Sequence, residues 1–148
     1  MESRAGSRAV VVFDAYAWCE YAMDGSHADM VIETLRSAYQ ALTPASALAE
    51  IREALLRHRV EPGVIKDIME FIRSKSQVVS IDADVAEKAG EVNFQMKEQV
   101  RGWGMLDSFV YAVAMLNQGQ VLTGDAHFRD LPNVIYIGEE ADKVLSDR

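Results

Sequence analysis

The chain has 148 residues, 49% hydrophobic and 26% charged, with 23 Asp and Glu against 15 Lys and Arg for a formal net charge of -8. That length and apolar content fit one domain, residues 1–148, around a single core, and the acidic balance argues against a broad basic face gripping nucleic acid non-specifically. A lone cysteine, Cys19, excludes an internal disulfide framework and a CxxC metal site. No apolar run is long and uninterrupted enough to span a bilayer, and the apolar stretch near the N-terminus contains Asp14 and lacks a convincing cleavage region. A cytoplasmic protein without a membrane partner is therefore expected.

Ala9 to Asp14 reads as a buried strand, because its valines run consecutively instead of alternating with polar residues, and this implies a parallel sheet. Helices are expected at Tyr16 to Met23, Ala28 to Leu42, Ser46 to Arg57 and Gly63 to Lys75, with Gly25, Pro44 and Pro62 as punctuation. Val78 to Ile81 is a short β-branched strand, and Asp82 to Val100 a long polar helix. Arg101-Gly-Trp-Gly104 breaks the chain before an apolar helix, Met105 to Leu116. Two short strands follow, Gln120 to Thr123 and Val134 to Ile137, separated by the turn Gly124 to Pro132. The polar segment Glu139 to Arg148 is expected to fray or form a short helix. Strands alternating with helices that cross in one hand give an α/β fold, a parallel sheet covered on both faces, with its sites at the strand carboxyl ends.

Three aspartates stand out against this frame. Asp107 is the only charged residue between Arg101 and Asp125, and Asp14 the only one between Arg8 and Glu20. Singly, Asp14 and Asp107 read as helix caps and Asp125 as a turn residue. Glu50, at the edge of the apolar stripe of Ala47, Leu48, Ile51, Ala54 and Leu55, reads as a surface glutamate. Jointly they point to one acidic pocket. Clustered carboxylates repel, and the inexpensive remedy is Mg²⁺ or Mn²⁺, hard ions that prefer oxygen. His27, His58 and His127 lack zinc-ligand spacing, and His127, although near Asp125, reads first as a turn histidine. Such a pocket fits phosphodiester hydrolysis by a metal-activated water. A glycine-rich phosphate loop and a Gly-x-Ser-x-Gly elbow are both missing. Arg52, Arg57, His58, Arg59, Lys66, Arg73 and Lys75 form a candidate phosphate-binding patch whose first reading is a solvated helix surface. Cys19 reads as a core thiol.

The order Val-Val-Phe-Asp14, Ala-Leu-Ala-Glu50-Ile, Leu-Asp107-Ser-Phe-Val-Tyr-Ala-Val-Ala and Leu-Thr-Gly-Asp125-Ala-His-Phe resembles the PIN-domain ribonucleases. Among them it is most similar to the small VapC toxins of prokaryotic toxin-antitoxin pairs, over nearly the whole chain. The resemblance implies a three-layer PIN-like fold with a mostly parallel sheet flanked by helices. It also implies that Asp14, Glu50, Asp107 and Asp125 form the catalytic, metal-binding cluster for Mg²⁺ or Mn²⁺, with Asp14 and Asp107 the first candidates for direct ligands. Thr123 matches the hydroxyl residue two positions before the last aspartate. An RNA substrate, an antitoxin partner that blocks the pocket and a homodimer are implied as well. Where many relatives carry Ser or Thr after the first aspartate, this chain has Ala15 and Tyr16. Asn93 reads as helix surface more readily than as part of the pocket.

Two rivals stand beside the ribonuclease. An inactive PIN-like interaction module is countered by the presence of all four acids, and a metal-dependent phosphatase or DNA nuclease would use the same pocket. For the homodimer, the apolar residues Met30, Leu35, Ile65, Ile68 and Met69 on Ala28 to Leu42 and Gly63 to Phe71 are candidate contacts, unless they only cover their own sheet.

Overall fold

In the computed structural model, which describes residues 9–138, the chain runs β1 (Val10–Phe13), α1 (Ala15–Ala22), α2 (Ala28–Ser37), β2 (Gln40–Pro44), α3 (Ala45–Arg57), α4 (Pro62–Lys75) and β3 (Gln77–Val79). It continues through α5 (Ala83–Met96), α6 (Met105–Leu116), β4 (Gln120–Thr123), a 3-10 turn (Ala126–Phe128) and β5 (Val134–Tyr136). The strands form one five-stranded sheet in the order β3-β2-β1-β4-β5, parallel throughout. The segment Glu139 to Arg148 lies outside the described residues.

The consecutive valines make β1 the central strand because both of its faces are covered. Val11 and Phe13 join Leu122 in a core with Trp18, Ile51, Leu55 and Ile72 from the α1, α3 and α4 side. Val12 joins Val121 in a second core with Val92, Val110 and Val113 from α5 and α6, sealed by Trp103 and Phe128. This two-sided covering follows from topology. Right-handed crossovers keep α1 to α4 on one face while the chain moves outward from β1 to β3, and the return to β4 reverses the face for α5 and α6. The reversal leaves a crevice at the carboxyl ends of the adjacent strands β1 and β4.

One strand departs from the sequence expectation. The helix expected over Ala28 to Leu42 ends at Ser37, and Gln40–Pro44 pairs with β1 in the register Val10↔Gln40 to Val12↔Leu42. Gln, Ala and Leu favour helix, so local propensity hides this strand, and pairing on both edges, with β1 and β3, overrides it. Its Thr43 is fully buried, accepts from Trp18 Nε1 at 3.0 Å and lies 2.7 Å from Ser76 Oγ, which itself donates to Ile72 O. Thr43 therefore donates to Ser76, and α1, β2 and α4 are locked by one satisfied chain. The long polar helix is shorter than expected, ending at Met96.

The apolar residues considered for dimerisation mostly serve this fold. Ile65 is buried, Leu35, Ile68 and Met69 are packed partly against the core, and Met30 alone is well exposed, at 46%. Cys19 is half-buried, and burial pushes its thiol up to about 11, which keeps it protonated and inert. No helix of the described residues is long and apolar enough to cross a membrane.

Candidate active site

Asp14 follows β1 directly and Asp125 follows β4 after Gly124, so the parallel register Phe13↔Leu122 brings Asp14 beside Thr123. The Thr123 hydroxyl donates to the Asp14 carboxylate and accepts the Asp125 backbone N–H at 2.9 Å, tying the two loops together. Thr123 is fully buried and Asp14 is only 6% exposed. Gly124 is required here, because a Cβ would run into the Tyr16 ring, which packs over the loop.

Asp107 arrives from the other side of the sheet in the first turn of α6, where its Oδ2 accepts the Gly104 N–H at 3.1 Å. Glu50 comes from the middle of α3, half-buried, and α3 and α6 touch although they belong to opposite layers. The carboxyls feel one another through Asp125 and Glu50. Burial pushes Asp14 up to about 7, against donors from Thr123 and Ala17, with Asp125 and Glu50 adding repulsion. Burial also raises Glu50, followed by repulsion from Asp107 and Asp125. It raises Asp107 too, with Asp125 adding and the Gly104 N–H and His127 opposing. Asp125 and Glu50 thus each repel Asp14, Asp107 repels Glu50, and Asp125 repels both Glu50 and Asp107.

The three aspartates also fill the cap and turn roles expected of them singly. Asp14 Oδ1 caps α1 by accepting Ala17 N at 2.9 Å, Asp107 closes the start of α6, and Asp125 Oδ1 accepts His127 N at 2.9 Å in the 3-10 turn. These backbone donors fix each carboxylate while leaving oxygens for a ligand.

His127, expected to be an ordinary turn histidine, belongs to the site. Its Nδ1 lies 2.9 Å from Asp107 Oδ2 and 3.5 Å from Asp125 Oδ1, and one ligand atom from each of the three residues falls within 4.8 Å of the others. The available signal was the Asp-x-His spacing at the end of a strand. Asn93 instead accepts from the Ser108 hydroxyl at 3.1 Å and braces α6. The candidate basic patch is solvent-exposed on α3 and α4, with Arg57 paired to Glu53 at 2.6 Å. A cavity of about 420 Å³ opens beside the site between Arg101, His127 and Asp130.

The pattern of the PIN domain matches residues 11–134. The chain belongs to the PIN-domain family. The fold agrees with that of solved relatives at low identity. VapC20 of Mycobacterium tuberculosis, a sarcin-ricin loop cleaving toxin, superposes with a TM-score of 0.70 at 17% identity, covering 84% of this chain and 96% of that one. VapBC2 of Rickettsia felis, bound to a DNA fragment from its promoter, gives 0.68 at 12% identity, covering 87% and 98%. A toxin-antitoxin complex from Klebsiella pneumoniae gives 0.66 at 16% identity, covering 84% and 95%. No curated protein sequence matches the chain, so the kinship is carried by the PIN pattern and the fold.

Proposed function

We propose that this PIN domain is a divalent-metal-dependent endoribonuclease and the toxin member of a toxin-antitoxin pair. The observation that carries the reading is the convergence of Asp14, Glu50, Asp107 and Asp125 from four separate elements, three of them with carboxyls pushed upward. The donor set fits Mg²⁺ or Mn²⁺, because oxygen ligands suit hard ions and the charge that raises these pKa values is what a cation would neutralise. The ion, when bound, supplies an activated water and neutralises charge at phosphorus.

The chain's own part is positional. Asp14, Glu50, Asp107 and Asp125 would hold the cation, Thr123 fixes Asp14 against Asp125, and Arg101 offers a cation to a flanking phosphate beside an otherwise acidic site. That VapC20 cleaves the sarcin-ricin loop, an RNA, supports the substrate class, and the toxin-antitoxin complexes among the structural relatives support an antitoxin partner. Purified protein is expected to cleave a mixed RNA substrate with Mn²⁺ or Mg²⁺ and to stop with chelator. Asp107→Asn is expected to lose metal affinity and cleavage together while keeping its melting temperature within a few degrees. Undiminished cleavage in that variant sinks the assignment, and a wild-type protein that neither cleaves nor binds metal in calorimetry moves the reading to an interaction module.

We also propose a homodimer, supported by the exposed apolar residues Met105, Leu106, Met115 and Leu116 on the two ends of α6. Light scattering is expected to give about twice the 16.5 kDa chain mass. A monomer at micromolar concentration removes the claim.

A further inference from the structure

The His127 imidazole is seated from both edges. On one edge Nδ1 faces Asp107 Oδ2 at 2.9 Å. On the other, Gly102 adopts φ +84°, and a Cβ on it would stand 2.9 Å from Nε2, so a side chain at that position would collide with the ring. The backbone of His127 is held as well, since its N–H donates to Asp125 Oδ1 at 2.9 Å. Three separate pieces of chain, the Gly102 turn, the 3-10 turn and the start of α6, therefore agree on one ring orientation.

That orientation has a consequence for Asp107. Its Oδ2 receives two donors, Gly104 N at 3.1 Å and His127 Nδ1 at 2.9 Å, while Oδ1 receives neither. A carboxylate clamped through one oxygen cannot rotate freely and presents the other oxygen outward. We propose that His127 is a positioning residue which, by donating from Nδ1 to Asp107 Oδ2, fixes the oxygen that Asp107 offers to the divalent cation. This rests on the metal-dependent reading of the site. Direct ligation by the same nitrogen would cost Asp107 this bond and would put a nitrogen donor among oxygens that already suit Mg²⁺ or Mn²⁺. Partners that orient a metal-binding side chain in this way commonly contribute about ten- to a hundredfold to affinity.

The test is titration calorimetry with Mn²⁺ alone on the full chain and on His127→Ala, His127→Asn and His127→Gln, with pulsed EPR of the Mn²⁺-loaded wild type. Asn carries an amide N–H near the place of Nδ1, whereas Gln carries one near Nε2. Ala and Gln are expected to weaken Mn²⁺ binding about tenfold or more, and Asn to restore it to within about threefold of wild type. The EPR spectrum is expected to lack the nitrogen coupling of a bound imidazole. Unchanged affinity in His127→Ala overturns the proposal, and so does a nitrogen coupling that this variant abolishes, which would make His127 a ligand. A wild type that binds no Mn²⁺ overturns the metal reading and the proposal with it, and is distinct from both other results.

Discussion

Asp14→Asn is expected to abolish metal-dependent cleavage and, in the absence of metal, to make the protein more stable than wild type at pH 7 and above. Asp14 is 6% exposed, and burial raises its carboxyl from 3.8 to about 7. The folded protein therefore holds a proton that the unfolded chain releases, so stability is fully present below pH 4 and is lost as pH rises to about 7. A shift of that size corresponds to about 4 kcal/mol once the group is fully ionised, a large share of a domain's stability. Repulsion from Asp125 and Glu50 adds to the burial penalty. Asn carries no charge at any of these pH values, and its Oδ1 still accepts from Ala17 N. Melting curves with chelator from pH 4 to 8.5 are expected to fall with pH in wild type and to fall less in the variant. Added Mn²⁺ is expected to raise the wild-type melting temperature, through binding to the native state alone, and to leave the variant unmoved. A variant less stable than wild type at pH 8 without metal, or one that still cleaves RNA, contradicts this account.

The readable parts of the sequence were those where one local signal sufficed. β1 and α6 each interrupt an apolar run with a single aspartate, and the cost of an unpaired buried carboxylate marks Asp14 and Asp107 without any knowledge of the fold. Asp125 was legible through its place after a β-branched strand end. Glu50 was weaker, since a glutamate beside an apolar stripe resembles any helix edge, and only its combination with the three aspartates brought it forward. β2 escaped because Gln40-Ala-Leu-Thr-Pro44 has helix-favouring residues and owes its extended form to β1 and β3 on either side. His127 escaped for a related reason. Its partner Asp107 lies 20 positions away, and the ring's orientation depends on the left-handed turn at Gly102, which no periodicity reveals. Local patterns thus located the carboxylates, while long-range pairing supplied the groups that aim them.

Trp103→Ala is expected to be among the most damaging single substitutions outside the acidic cluster, costing about 3 to 5 kcal/mol. Trp103 is 1% exposed, and its ring packs against Tyr111 and Phe128 at centroid distances of 6.2 and 5.0 Å. Its Nε1 donates to Ser108 Oγ at 2.7 Å, and its carbonyl accepts from Lys97 Nζ at 2.8 Å, so the connection between α5 and α6 is pinned at this residue. The two neighbours of Trp103 are Gly102, which seats His127, and Gly104, whose N–H fixes Asp107. Loss of the indole should therefore weaken Mn²⁺ binding even under conditions where the variant is folded. Trp103→Phe separates packing from hydrogen bonding. It retains an aromatic ring, and Ser108 keeps its donation to Asn93 Oδ1, so no buried donor is orphaned and the cost should stay near 1 kcal/mol. Urea denaturation of the two variants, followed by Mn²⁺ titration of each below its unfolding transition, reads both effects. A Trp103→Ala variant as stable as wild type, or one that binds Mn²⁺ equally well when folded, would mean that the loop holding Gly102 and Gly104 keeps its shape without the indole.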